Sequence, residues 1–398
     1  VIKDKCIVIE DGLISEIINF ENFKPNDDDV ILNYENEFVM PGMVDVHVHL
    51  AFSGITDNRS FRAESAELDY GEQALRGYEF ALEHMSYGFT SLRDMNAPGK
   101  VAINIKNIIN KKKLVGPNIL ACGLGLSVTG GHMDQPGWSS HVNFTNMTYP
   151  CDGPNEFIKG VRTQLKDGAD FIKTNMCVSS TYNLDHPYKQ EMSNNEIEAV
   201  CREAKMNNVK VASHTSGGPS ITIAVKSGIH SVEHGHWLED ETINLMAEKN
   251  TFYVPTLLVN ERNFDFEQDK NFTSSKNWKW LQLSREAKWL SLEKAIKSNI
   301  QIATGTDAGF MLPHGSMNYR ELEYLTKGGM SNMQAIKAAT QFGGKLLGIN
   351  VGTIEVGQKA DVLVINGNPL DDIKILSNRE NIVVFKDGCK FKKTYKMN

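Results

Sequence analysis

The sequence predicts a (β/α)8 TIM barrel with a small β-sandwich domain built from both chain termini. Three observations predict it. Short β-rich runs alternate with longer amphipathic segments, the pattern of a parallel α/β fold. Eight such runs can be counted between residues 39 and 306. The β-prone segments that stand outside the alternation lie only at the two ends of the chain.

The runs follow in order: Val39–Leu50, Phe89–Met95, Ile119–Leu126, Phe171–Met176, Val209–His214, Ser231–His234, Thr251–Val259 and Gln301–Thr306. Helical stretches between them include Gly71–Tyr87, Ser193–Asn207 and Ser284–Ser298. In the last, Ala287, Leu290, Ala295 and Ile296 fall roughly on one face. Asn318–Thr326 and Asn332–Leu347 close the set. Gly88, Gly168 and Gly228 follow helices, where a chain must stop before turning into a strand. At the N-terminus, Cys6–Glu10, Asp11-Gly12 and Leu13–Ile18 read as a hairpin. At the C-terminus, Ala360–Asn366, Val383–Lys386 and Asp387-Gly388 are again β-prone. The expected division is a barrel over residues 39–349 and a small β domain from 1–38 with 350–398.

Composition narrows the function class. A chain of 398 residues with 41% hydrophobic and 23% charged content can bury a large core. The net charge of −7 argues against nucleic-acid and anionic-membrane partners, which want a basic face. Lys111-Lys112-Lys113, the longest basic run, reads as a solvated helix end. Six scattered cysteines show no C-x-x-C spacing, so neither a disulfide framework nor a cysteine zinc site is expected. No apolar run approaches the ~20 residues that span a bilayer. A cytoplasmic location is expected, although the chain opens at Val1 in mid-strand, as it would after removal of a leader.

Five places carry candidate chemistry. In Asp45-Val46-His47-Val48-His49, two histidines at i and i+2 project from one side of a strand. Lys173 ends an apolar strand, where a bare ammonium is costly to bury. It is either an ion-paired lysine or a neutral amine modified to a carbamate. His214 and His234 each end a β-rich run, and Asp307 follows another between glycines. Singly, each reads equally well as a core group or a turn residue. Together they fall at the carboxyl ends of runs one, four, five, six and eight, which converge on one pocket in a barrel. Six metal-compatible groups at one rim point to a metal site.

The motifs also carry a family. Pro41-Gly42-Met43-Val44-Asp45-Val46-His47-Val48-His49, Gly130-Gly131-His132, Val232-Glu233-His234-Gly235, Thr304-Gly305-Thr306-Asp307-Ala308 and the tail Gly352–Asp361 resemble the amidohydrolase superfamily. The nearest branch is the one related to imidazolonepropionase, with Xaa-Pro dipeptidases and arginine/lysine carboxypeptidases. The resemblance implies two divalent ions, zinc by default. It places His47, His49 and Asp307 on the more buried ion, and His214 and His234 on the other. N6-carboxylated Lys173 would bridge them. Two departures bear on pocket shape: Thr174–Ser180 lacks the glycine pair often found after the bridging lysine, and His214 is followed by Thr215-Ser216-Gly217-Gly218.

The expected reaction is amide hydrolysis by a hydroxide activated between two ions. Asp307 would take the proton from water and pass it to the leaving amine. His132 would donate to the developing oxyanion or to a substrate carboxylate; His236 is read as second in line or surface. The substrate is expected to be a dipeptide or short peptide releasing Arg or Lys, with Glu261, Asp265, Glu267 or Asp134 as acidic partner. An Xaa-Pro dipeptidase, with Tyr253, Phe264, Phe266 and Trp138 around an apolar slot, and a cyclic amide or imidazolone hydrolase stay open. Homo-oligomers are frequent in the family.

Overall fold

In the computed structural model, residues 2–55, 58–134, 139, 141, 147–179, 188–265 and 276–392 are described. The architecture is mixed α/β. After the hairpin of β1 (Lys5–Glu10) and β2 (Leu13–Asn19), β3 (Phe38–Pro41) leads at once into β4 (Met43–Val48). Then come α1 (Asn58–Glu67), α2 (Tyr70–Ser86), β5 (Phe89–Asp94), α3 (Val101–Asn110), β6 (Asn118–Ala121), β7 (Leu126–Ser127) and β8 (Tyr149–Pro150). The middle of the chain supplies α4 (Gly153–Asp167), β9 (Phe171–Asn175), β10 (Cys177–Ser179), β11 (Tyr188–Gln190), α5 (Asn194–Met206), β12 (Lys210–Gly217), α6 (Pro219–Ser227) and β13 (Ser231–Trp237). It ends with α7 (Asp240–Lys249), β14 (Phe252–Val254), α8 (Leu257–Asp265), α9 (Lys276–Lys297), α10 (Tyr319–Lys327), α11 (Asn332–Ala338), α12 (Gln341–Leu347), β15 (Val362–Ile365), β16 (Ile382–Lys386) and β17 (Cys389–Lys390).

β4, β5 and β6 form one parallel sheet, and β14-β13-β12-β9-β7-β8 a second. Parallel bridges tie residues 301–308 to β14 through Tyr253–Ile302 and to β4 through Val48–Ala308. Every residue of β4, β5 and β9 is buried, as in sheets covered on both faces. The covering helices bury one stripe. In α4 it is Phe157, Gly160, Val161 and Gln164, with spacings of three and four. Gly168 closes α4 at φ 101° and Gly228 closes α6 at φ 94°, left-handed caps that a side chain would strain.

The chain ends come together. β3 pairs antiparallel with β15, and the sheet runs β17-β16-β15-β3. The hairpin leans on it through Ile14 N donating to Gln358 O at 2.9 Å and Ala360 N to Gly12 O at 2.9 Å. Beneath β6 a buried polar knot holds this sheet to the parallel one. Asp361 accepts from Lys386 Nζ at 3.0 Å and from Asn118 Nδ2 at 2.7 Å.

Five runs differ from the sequence reading. Ile119–Leu126 divides between β6 and β7, which lie in different sheets, and Gln301–Thr306 forms no strand, only the single bridge of Ile302 to Tyr253. Val39–Leu50 is two strands: residues through Pro41 pair with β15, and the barrel-type strand begins after Gly42. A Cβ on Gly42 would meet the Thr90 side chain at 2.0 Å, so the crossover between sheets requires glycine. Thr251–Val259 is half strand and half helix, because Glu321 takes the amides of Leu257 and Leu258 at 2.9 and 2.7 Å and starts α8. Asn332–Leu347 breaks into two helices at Thr340. Among the described residues no helix is long and apolar enough to cross a membrane.

Candidate metal centre

β4 and the segment after residue 306 meet backbone to backbone. Asp307 N donates to His47 O at 2.8 Å, and His49 N to Ala308 O at 2.8 Å. That pairing brings three ligands to one point. His49 Nε2 lies 3.0 Å and His47 Nε2 3.5 Å from Asp307 Oδ1, and one ligand atom from each residue falls within 4.8 Å of the others.

His47 is oriented from behind. Its Nδ1 is 2.8 Å from Glu233 Oε2. A carboxylate only accepts, so Nδ1 carries the hydrogen and Nε2 keeps its lone pair toward Asp307. Glu233 is itself held by Arg93 Nη2 at 2.7 Å, and Arg93 Nε donates to Val46 O at 2.6 Å. β5 thereby ties β13 to β4 through one guanidinium.

His234 and His214 approach from β13 and β12. Ring centroids are 4.9 Å apart for His47–His234 and 4.4 Å for His214–His234. Thr256 Oγ1 sits 2.7 Å from His234 Nδ1. Lys173, 4% exposed on β9, acts electrostatically on His47, His132, His214, His234, Glu233 and Asp307. All six sequence-predicted ligands therefore share one buried space. Two of them, His234 at φ 69° and Asp307 at φ 66°, sit in the left-handed region, as does Thr256 at φ 47°. Such positions cost about 1–3 kcal/mol each and cluster at functional sites.

Electrostatics keep the ligand atoms available. Burial, then the Lys173 charge, lowers His47 to about 4. Burial and neighbouring rings hold His214 and His234 well below the usual imidazole range. Burial pushes the Asp307 carboxyl up, but His47, His49 and Lys173 outweigh it and hold it down at about 2. Burial lowers Lys173 to about 8 against the pull of Glu233 and Asp307. At neutral pH the imidazoles are neutral and the carboxylate charged, the ligating forms.

The residues fit a divalent metal. Among the described residues His214 Nε2 is buried without a hydrogen-bond partner, a loss for a polar atom unless something else takes its lone pair. Imidazole and carboxylate donors suit zinc and its neighbours. His47, His49 and Asp307 are the group whose ligand atoms lie close enough to hold one ion.

The remaining expectations divide. His132 stacks on the His214 ring, centroids 3.8 Å apart and 19° between planes, so it joins the site. His236 is buried, its ring 5.3 Å from that of Trp280. Glu261 is turned elsewhere. Both its oxygens face Arg285, at 2.8–3.1 Å, and Trp289 Nε1 donates to it at 2.8 Å, so it joins α8 to α9 rather than offering a free carboxylate. Asp134 accepts from Gly130 N at 2.6 Å within its own turn. Tyr253 is buried with its hydroxyl on the His234 and Gly235 carbonyls, and Phe264 packs on Trp278 and Arg285. Trp138, Phe266, Glu267 and the Asp265 side chain lie outside the described residues.

Sequence reasoning missed Glu233 and Arg93. Strand alternation sends Glu233 and His234 to opposite faces, yet both reach His47, because positive φ at His234 and Gly235 breaks the alternation. The one signal was the glycine after His234.

The chain is similar to several known proteins. An ochratoxinase of Aspergillus niger is 29% identical over 378 residues, covering 89% of this chain and 75% of that protein. A crystal structure of A. niger ochratoxinase matches with a TM-score of 0.86 at 26% identity, covering 99% of this chain and 92% of that one. A crystal structure of a Xaa-Pro dipeptidase with methionine bound in its active site matches with a TM-score of 0.84 at 32% identity, covering 97% and 94%. An imidazolonepropionase of Picrophilus torridus is 24% identical over 386 residues, 94% of this chain and 88% of that protein. The amidohydrolase family model matches residues 38–395, a span that includes each ligand position from His47 to Asp307, and the chain belongs to that family of hydrolases.

Proposed function

We propose that this protein is a metal-dependent peptidase that cleaves dipeptides or short peptides and releases a C-terminal amino acid, arginine or lysine. The observation that carries the reading is the convergence of His47, His49, Asp307, Lys173, His214 and His234 in one buried space. In this reading β4, β5, β6 with β7, β9, β12, β13, β14 and residues 301–308 supply the eight strands of a barrel over residues 39–349. Residues 1–38 and 350–398 make the small β domain. The preference for a basic leaving residue draws on the branch resemblance.

Each side chain has a part. His47, His49 and Asp307 would hold one ion, and His214 with His234 the other. Lys173 would bridge them once its neutral amine has added carbon dioxide: the nitrogen forms a bond to carbon, loses a proton, and presents two oxygens. Bound divalent ions, zinc by preference, would polarise the amide carbonyl and acidify a water. Asp307, charged at neutral pH, would accept a proton from the attacking water and return it to the departing nitrogen. His132, which burial and the Lys173 charge hold neutral at about 3, offers its N–H to an oxygen of the substrate.

A second reading, Xaa-Pro dipeptidase, is favoured by the likeness to a dipeptidase of that class at 32% identity. A dipeptide library varied at the C-terminal residue decides between them, run on protein purified with added zinc and assayed for metal. About two metals per chain with cleavage of Xaa-Arg or Xaa-Lys supports the first reading. Cleavage of Xaa-Pro alone replaces it with the second. Protein that stays metal-free after reconstitution refutes both.

A further inference from the structure

Beside the site, the Glu191 carboxylate forms no ion pair among the described residues. Glu191 follows β11, and its backbone N donates to Met176 O at 3.0 Å, while Met176 N donates to His214 O at 3.1 Å. Its Oε2 accepts from His132 N at 2.9 Å. Glu191 is thus fixed at both ends next to His214: by backbone through Met176, and by side chain through His132, whose ring lies on the His214 ring. Tyr188 of the same strand packs over Gly217 and Gly218 at the end of β12, where added Cβ atoms would meet it at 3.2 and 2.7 Å. This hairpin lies across the strand end that carries His214.

Two properties make Glu191 a cation receptor. Its Oε1 makes no hydrogen bond among the described residues, and no cationic side chain there pairs with it. The residue is only partly buried. Burial raises its carboxyl to about 7; the His132 amide and the more distant Lys189 charge only partly offset that. A carboxylate so placed gains from a guanidinium or ammonium that arrives with the substrate. Of the acids expected from the sequence, Glu261 already has its guanidinium in Arg285, and Asp134 accepts from Gly130 N within its own turn.

We propose that Glu191 is the specificity-determining residue that holds the basic side chain of a C-terminal arginine or lysine as that residue leaves. This rests on the peptidase reading above. With the substrate carboxylate at His132, the side chain of the same residue extends toward the neighbouring Glu191.

The test is Glu191→Gln in the full chain loaded with zinc. Glutamine keeps an acceptor for His132 N and removes only the charge. The readout is kcat/KM on Xaa-Arg, Xaa-Lys and the uncharged Xaa-norleucine, together with calorimetric binding of L-arginine and L-norleucine. A loss of about tenfold or more on the basic peptides, with Xaa-norleucine changed less than about twofold, is the expected result. Equal losses on all three would mean that Glu191 only positions the His132 loop, and would overturn the proposal. So would unchanged basic preference, a wild-type preference for norleucine, or loss of the effect when the peptide's amino group is acetylated. If wild type cleaves no dipeptide yet binds L-arginine over L-norleucine only with Glu191 intact, the receptor stands and the peptidase reading falls. If L-arginine is not bound in preference and nothing is cleaved, both fall.

Discussion

Glu233 fixes His47 from the side away from Asp307: Oε2 and Nδ1 are 2.8 Å apart, and both side chains are buried. The contact decides which ring nitrogen bears the proton. It also explains why burial, which pushes the Glu233 carboxyl up, is outweighed by Arg93, His47 and Lys173, leaving it at about 2. Glu233→Gln removes the charge while keeping the shape. Partners of this kind are worth about 10–100-fold in metal affinity. The expected outcome is a loss of that size in zinc affinity, read by competition with a chelator, with the thermal unfolding of zinc-saturated protein little changed. Unaltered affinity would reduce Glu233 to a structural ion pair with Arg93.

Asp307→Asn tests the proton route. Asparagine can still occupy the space beside His47 and His49, but it cannot accept and release a proton at neutral pH. Turnover should fall by about 10²–10⁴-fold, with the protein folded. Retention of wild-type kcat would remove Asp307 from proton transfer and leave it a ligand only.

Lys173→Ala tests the bridge. Lys173 is buried among the ligands, and its loss deletes the groups expected to span two ions. Metal content and activity should both drop, and short carboxylic acids should restore part of each by occupying the vacated volume. Two metals per chain without added acid would show that the lysine does not bridge.

Acid should destabilise the metal-free protein. Burial lowers eight imidazoles: His47, His230 and His314 to about 4, His132 to about 3, and His84, His214, His234 and His236 well below the ordinary value. Between the ordinary value of 6.5 and these folded values, the unfolded chain binds the more protons. Stability contributed by such groups is present above about 6.5 and is lost as pH falls toward 4. Four acids act the other way, since burial raises Asp45 and Glu191 to about 7, Asp94 to about 6 and Glu321 to about 8. The imidazoles outnumber them, so Tm of the metal-free protein should fall from pH 7 to pH 4. A flat profile would show that the two sets cancel.

The candidate ligands were legible because each sits at or just after the end of an apolar run, and parallel strands bring such ends to one side of the sheet. What supports them was not. Glu233 and His234 read as facing apart until positive φ at His234 turns the chain. Thr256 read as mid-strand, because nothing in residues 251–259 announces that Glu321, 64 positions later, caps α8. Glu261 read as a free acid because Arg285 and Trp289, its partners, lie 24 and 28 residues away on another helix. Local chemistry is written locally, whereas the partner that satisfies a buried charge is set by packing.

Gly309 offers a test of how closely the metal loop is fitted. It lies two residues after Asp307 at φ 95°, and a Cβ there would meet His49 O at 2.2 Å. That carbonyl belongs to the ligand strand and has no flexible atoms to yield. Gly130 makes the control: it has φ 67°, with nothing within 4 Å of an added Cβ. Gly130→Ala carries only the cost of left-handed backbone, about 1–2 kcal/mol. Gly309→Ala carries the same cost and must also push His49 from Asp307, whose contact is 3.0 Å. The expected outcome is a modest fall in Tm with metal retained for Gly130→Ala, and a larger fall with weakened zinc binding for Gly309→Ala. Equal behaviour of the two variants would mean that the loop after Asp307 can move away without disturbing the ligands.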